Sequence, residues 1–234
     1  MNIMIKLTGK NALITGSSRG VGQQIAMGLA KLGCNIIVHG RTQKSCAKTL
    51  ELLKKYNVNV YCVYGELSEE SQVNHLIDQV KNLKISIDIL YNNAAVMTPY
   101  HENWLEAIPS EYELSFRVNT IAPILLSNYF LPMMISQKWG RIVNITSGIK
   151  DQPELMAYAA SKAALDKYVF DMAPKLVGSG VTMNLIDPGW LRTDLGGPNA
   201  PNSVESVLPG ALVTVLATDG KSGQFLHAQD YFKG

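Results

Sequence analysis

Short apolar runs recur along the chain at 11–15, 35–39, 59–63, 87–91, 141–146, 181–186 and 224–227, separated by longer stretches whose apolar residues fall at helical spacing. This alternation constrains the fold more than any composition does. A strand followed by a helix before the next strand re-enters its sheet parallel, by a right-handed crossover, and the helices then cover both faces. The pattern predicts an α/β fold, a doubly wound parallel sheet with helices on both faces. With 47% hydrophobic residues in 234, one large core and one domain over 1–234 are expected. No internal repeat or low-complexity tract interrupts the pattern.

The first run ends in Gly16-Ser17-Ser18-Arg19-Gly20-Val21-Gly22, and a helical pattern continues through Lys31-Leu32. Glycines let a backbone turn tightly and approach a pyrophosphate, whose charge then lies at a helix N-terminus. The spacing is T-G-x-x-x-G-x-G rather than G-x-G-x-x-G, but the mechanics are the same. The second run ends in Gly40-Arg41-Thr42 and leads into a helix through Lys55. An acid about 20 residues beyond the glycines would hold an NAD ribose. Here the first acid after the loop is Glu51, well inside that helix, while Arg41 ends the strand and Arg19 sits in the loop. Guanidinium forks without a carboxylate favour a 2′-phosphate, so NADP(H) is expected over NAD(H).

The third run ends at Tyr64-Gly65-Glu66-Leu67-Ser68, where Ser68 reads as the N-cap of a helix through Val80. The fourth opens into Asn92-Asn93-Ala94-Ala95 at a strand's carboxyl end, where ligands of open α/β sheets lie. A long helix, 111–136, carries Asn119 within an apolar stretch, and a buried amide there needs partners. From Gly140 to Leu165 the chain reads as strand, polar loop and Ala-rich helix. Tyr158 and Lys162, four apart, share one helix face, and Ser147 lies at the strand end. An ammonium beside a phenol lowers its pKa from about 10, and such a tyrosine can exchange a proton with an alcohol or a carbonyl oxygen. After the sixth run, Asp187-Pro188-Gly189-Trp190-Leu191-Arg192-Thr193 and Gly196 to Pro201 read as a mobile loop in the position of a lid, followed by a helix over 204–216.

Net charge is +2 with the signs interspersed, which offers no basic stripe for nucleic acid. No apolar run was expected to reach the roughly 20 residues of a membrane span, nor the N-terminus to hold a signal peptide, so a cytoplasmic protein is anticipated. Cys34, Cys46 and Cys62 lack metal-site spacing and read as reduced structural thiols.

Taken together, the TGSSRGVG loop, NNAA, Asn119, Ser147 ahead of YAASK, and PGWLRT resemble the short-chain dehydrogenase/reductase family over essentially the whole chain. The resemblance implies a Rossmann-type sheet of about seven strands and hydride transfer between a nicotinamide and an alcohol or ketone. It implies Tyr158 as general acid/base, Lys162 holding the nicotinamide ribose and lowering the Tyr158 pKa, Ser147 on the substrate oxygen, and Asn119 keeping a relay water. It places Gly16, Ser18, Arg19, Gly20, Val21, Gly22 and Arg41 on the phosphates, with Glu66 and Leu67 on the adenine side. Asn92 and Ala94 would line the ribose, and Pro188, Gly189 and Thr193 would border the nicotinamide. Members often form homodimers or homotetramers through the helices read here at 111–136 and 157–178.

Three departures stand out: Ala95 replaces the usual glycine, Glu66 the usual Asp, and the loop between Ser147 and Tyr158 is shorter than in many members. The wording after Asp187 is similar to small carbonyl reductases. Met97, Leu155, Met156 and Trp190 suggest a small-molecule carbonyl or alcohol substrate of apolar character. A 3-oxoacyl thioester reductase, a sugar epimerase or dehydratase, and a non-catalytic NADP(H)-binding regulator are the alternatives.

Overall fold

The computed structural model describes residues 6–232. The reading of the N-terminus as free of a signal peptide falls partly on residues 1–5, outside the described residues. Seven strands form one sheet in the order β3-β2-β1-β4-β5-β6-β7, every pair parallel. They are β1 (Asn11–Ile14), β2 (Asn35–Gly40), β3 (Val60–Tyr64), β4 (Ile89–Asn92), β5 (Gly140–Ile145), β6 (Val181–Asp187) and β7 (Phe225–His227). The order runs outward from β1 to β3, then returns to place β4 against β1. That reversal opens a crevice at the carboxyl ends of β1 and β4, where the glycine loop and the NNAA segment both emerge.

The strands are apolar on both sides because both sides are covered. Ile14, Ile36 and Val38 face a core with Ile25 and Leu29 of α1 (Gly20–Lys31), while Leu13, Ile37 and Leu90 face the opposite one. There they meet Leu76 of α3 (Glu70–Asn82) and Leu126 and Phe130 of α5 (Ala122–Ser136). Burying one such side chain stabilises the fold by about 1.5–3 kcal/mol. The remaining helices are α2 (Gln43–Leu53), α4 (Pro109–Phe116), α6 (Met156–Met172) and the single turn α7 (Val213–Leu216).

Five local expectations need correction. The helix expected over 111–136 begins at Pro109 and is broken by a π turn, Arg117–Ile121, that contains Asn119. By length and composition this α4 to α5 stretch could cross a membrane, contrary to expectation. Its apolarity has a packing reason, since Val118, Leu126, Phe130 and Met134 are buried against the sheet. Ser68 does not cap α3: Glu66 takes the Ser68 amide at 3.3 Å, and the helix starts after Glu69 with no side-chain cap. α6 stops at Met172 and tightens into a 3-10 turn, Ala173–Leu176, around Pro174. The helix expected over 204–216 is mostly 3-10 turns, because Pro209-Gly210 interrupts it.

Candidate active site

The glycine loop is held from both neighbouring strands. Thr15 Oγ1 donates to Tyr91 O at 3.2 Å and accepts the amides of Asn93 and Ala94 at 3.0 and 3.1 Å. Asn93 Nδ2 donates to Thr15 O at 2.8 Å and Gly16 O at 3.2 Å. Gly16 has φ +63°, and a Cβ there would lie 2.8 Å from Ala94 Cα, so only glycine fits. Its amide donates to Nδ1 of buried His39 at 3.0 Å, which fixes the proton on Nε2, 3.1 Å from Gly65 O. Burial pushes the His39 imidazole down to about 4, keeping it neutral. α1 begins at Gly20 with no side-chain cap, leaving the first-turn amides of Gly20, Val21 and Gly22 for a ligand. A dinucleotide's pyrophosphate fits this arrangement.

Gly40 closes the adenosine end. A Cβ on it would meet Ser45 Oγ and lie 2.9 Å from Cys46 Sγ and 3.4 Å from Ser18 Cβ. A larger residue at this position would require the Ser45 and Cys46 side chains to move. Arg41 is exposed beside it, and Arg19 Nε sits 2.7 Å from Asp194 of the loop after β6. Glu66 and buried Leu67 follow β3 on the same rim. Asn92, expected on the cofactor ribose, closes β4. Its side chain turns inward, donating to Asn144 Oδ1 at 2.9 Å and Ser127 Oγ at 3.0 Å, so only its backbone remains at the crevice.

The reacting half is built by β5, α6 and the π turn. Tyr158 and Lys162 are both buried on α6, with Nζ 5.9 Å from the phenol ring centre. Lys162 Nζ donates to Ile145 O at 2.8 Å. Burial holds the Tyr158 phenol above its ordinary value, outweighing the opposing pull of the Ser147 hydroxyl. Here the structure corrects the expectation of a lowered pKa. Lys162 itself is pushed down to about 8 by burial, against the opposing pull of Asp166. Asn119 is fastened on every side: Nδ2 donates to Val96 O at 2.9 Å and Ser161 Oγ at 3.0 Å, and Oδ1 accepts the Val96 amide at 2.9 Å. Both donors are spent, so a water could use only the second lone pair of Oδ1 or the main chain of the π turn.

The stretch expected as a mobile lid is bonded to itself. Trp190 Nε1 donates to Gly196 O at 2.7 Å, Thr193 Oγ1 accepts the Gly196 amide at 3.0 Å, and Arg192 holds Ala200 O and Pro201 O at 3.0 and 2.8 Å. Gln229 Nε2 pins Pro188 O at 2.8 Å, and Gly189 takes φ +80°. Thr193 Cγ2 lies 3.7 Å from the Cβ position of Gly20, so this loop leans on the glycine loop. No role was assigned from the sequence to His39, Thr15, Asn93 or Ser161, although Thr15, Asn93 and Ser161 lie inside the T-G, NNAA and YAASK motifs.

A glycine cradle at a sheet's switch point, joined to a Ser-Tyr-Lys group, defines a dinucleotide-binding oxidoreductase. Residues 10–203 match the family model described as short chain dehydrogenase, and the chain belongs to that family. It is 34% identical over 194 residues, 82% of this chain and 77% of the relative, to a 3-oxoacyl-[acyl-carrier-protein] reductase of Aquifex aeolicus. Among solved structures it resembles a 3-oxoacyl (acyl-carrier-protein) reductase of Agrobacterium tumefaciens with NADP bound, at 28% identity and TM-score 0.84, covering 94% of this chain and 93% of that one. It also resembles the promiscuous reductase LugOII of lugdunomycin biosynthesis, at 30% identity and TM-score 0.82, covering 96% and 98%.

Proposed function

We propose that this chain is an NADP(H)-dependent reductase of ketones or aldehydes, with an apolar small-molecule substrate. The observation that carries this reading is the Ser147, Tyr158 and Lys162 group together with exposed apolar side chains on the loops that leave the same edge of the sheet. Tyr100, Trp104 and Leu105 from the loop after β4, Met156 at the start of α6 and Trp190 after β6 are 63, 53, 72, 42 and 59% exposed. Two of these loops are tied together where the His101 amide donates to Glu154 O at 3.2 Å.

Bound NADPH supplies the hydride. Gly16, Ser18, Gly20, Val21 and Gly22 would hold its pyrophosphate side, and Arg19 and Arg41 its 2′-phosphate. Glu66 and Leu67 would flank the adenine, the Asn92 backbone and Ala94 the ribose, and Pro188, Gly189 and Thr193 the nicotinamide. Ser147 donates to the substrate carbonyl oxygen and orients it. Tyr158, kept protonated by burial, gives that oxygen its proton as negative charge develops, a contribution of about 10²–10⁴-fold. Lys162 stabilises the phenolate that results, and Asn119 fixes the π turn against the loop after β4. Fixing the reacting groups at one site supplies much of the remaining rate.

The relatives named as 3-oxoacyl-[acyl-carrier-protein] reductases favour a second reading, reduction of a 3-oxoacyl thioester. An acidic carrier protein would need basic residues near the site, and Lys138, Arg141 and Arg192 are the candidates. Lys138 precedes β5 and Arg141 is buried near its start, at the end of the sheet away from the site. Of these three only Arg192 stands at the site's edge of the sheet, and its guanidinium is bound to the Ala200 and Pro201 carbonyls, which favours the apolar ketone or aldehyde. NADPH oxidation against an aromatic aldehyde, a diketone, a steroid ketone and an acetoacetyl thioester separates the two readings.

The protein is further proposed to act as a homodimer or homotetramer in the cytoplasm. Leu114, Ile121, Ile135 and Phe170 leave apolar surface on α4, the π turn, α5 and α6 that a second copy would cover. Light scattering tests this, with a monomer as the contrary result. All three cysteines are free thiols, as a reducing compartment would keep them.

A further inference from the structure

The loop after β4 carries Tyr100, Trp104 and Leu105 exposed, so burial does little to hold those positions in place. Asn119 fastens the start of the loop by taking the Val96 amide and carbonyl. Beyond that point, among the described residues, every hydrogen bond from 97–107 to another part of the chain is made by His101. The side-chain bonds of Asn103, to Glu106 Oε1 at 3.0 Å and from the Leu105 amide at 3.3 Å, stay inside the loop.

His101 is held in two directions. Its ring Nε2 lies 3.0 and 2.9 Å from the two carboxylate oxygens of Glu111. Both oxygens accept, so Nε2 carries the proton and donates to them. Its amide donates to Glu154 O at 3.2 Å, four residues ahead of Tyr158. Glu111 stands in the first turn of α4 and accepts the Ile108 amide at 3.4 Å, which ties its carboxylate to the helix start. The two side chains are 20 and 14% exposed, which screens this pair less than a surface one. One residue therefore joins α4, the loop after β4 and the stretch that leads into α6, and the reaction described above uses neither member of the pair.

We propose that His101, clasped by Glu111, positions the loop after β4 against the 149–156 stretch and thereby sets how large an apolar carbonyl substrate the site accepts. The proposal rests on the reductase reading. Both segments flank the reacting groups in the chain: Ser147 and Tyr158 bound one, and Asn119 anchors the other. Releasing the clasp leaves the loop tied at its ends alone, and substrate binding must then supply the cost of ordering it. That cost falls on a substrate large enough to lie against the loop and spares a small one. His101 and Glu111 are positioning residues, and cofactor binding and the proton donor stay as they are.

The test uses His101→Ala, Glu111→Ala, the double variant, and His101→Gln, whose side-chain amide keeps a donor for Glu111. KM, kcat and NADPH binding are measured with whichever carbonyl of the panel the wild type reduces and with a smaller homologue lacking most of its apolar carbon. The expected result is a KM for the larger substrate raised about tenfold in His101→Ala. Glu111→Ala and the double variant should match it, because the two residues act as one unit. His101→Gln should stay near the wild type, and kcat, NADPH binding and the smaller homologue should change little. Unchanged KM in both single variants would overturn the proposal, as would losses that add in the double, or equal losses for both substrates together with NADPH binding. Independently of turnover, amide hydrogen exchange in His101→Ala should quicken over 97–108 and 149–156 while the strands keep their protection, and unmoved exchange there would overturn the clasp. Absence of turnover by the wild type, with exchange behaving as expected, would instead sink the reductase reading itself.

Discussion

At the scale of single residues, the site turns on how burial and neighbours set protonation. Tyr158 is held protonated by its surroundings, which suits a proton donor, while burial pushes Lys162 down to about 8. For reduction, Lys162 is needed as the ammonium, so kcat/KM should hold at neutral pH and fall as pH rises through about 8. A flat profile from pH 7 to 9 would contradict this assignment. Cofactor choice also lies with single residues. Arg41→Ala should shift the ratio of catalytic efficiencies from NADPH towards NADH, by about tenfold or more for a charge-assisted pair of 1.5–3 kcal/mol. Gly40→Asp, which would place an acid at the end of β2, is a poorer test because its Cβ would crowd Ser45 Oγ and Cys46 Sγ. The residues with chemistry to declare, Ser147, Tyr158 and Lys162, were legible because their types and spacing are themselves the signal. His39 and Ser161 were not, since nothing in their spacing shows the partners, Gly16 and Asn119, that they meet only in the fold.

At the scale of elements, the strands were legible to within about two residues because their apolar runs are bounded by glycines and polar turns. What the sequence could not convey is how a helix deviates. The π turn at Arg117–Ile121 leaves no periodicity signal, yet it aims Asn119 at Val96 and Ser161. Asn119→Ala would strip the Val96 amide and carbonyl of their partner. It should cost about 1–3 kcal/mol and lower Tm by roughly 2–10 °C for a chain of this size. An unchanged melting curve would show that the amide's bonds are not what holds the loop after β4. The 204–216 stretch misled for the opposite reason: its apolar residues repeat as in a helix, but Pro209-Gly210 prevents a continuous one. The loop after Thr193 shows that abundant glycine and proline do not imply an open chain, since Trp190 and Arg192 bond it to itself.

At the scale of the whole molecule, the parallel sheet forces the cofactor and reacting halves to one edge, and His39 links that edge to stability. Its folded pKa, near 4, lies below the unfolded value of about 6.5, so the unfolded chain binds the extra proton between them. Stability should therefore rise with pH from 4 to 6.5, a contribution on the order of 3 kcal/mol that is lost on acidification through that window. Asp166 works in the opposite sense, because its folded value near 6 exceeds the unfolded 3.8, and it offsets part of the rise. In urea titrations His39→Gln should flatten the pH dependence, and a variant as acid-sensitive as the wild type would show that other groups dominate. The central claim, that this site reduces a carbonyl by proton donation from Tyr158, is tested most directly by NADPH oxidation with wild type and Tyr158→Phe against the carbonyl panel. Turnover of one carbonyl class by the wild type, with a loss of about 10²–10⁴-fold in the variant and intact NADPH binding, is the expected result. Equal turnover by the two proteins, or tight NADPH binding with no turnover by either, would contradict it.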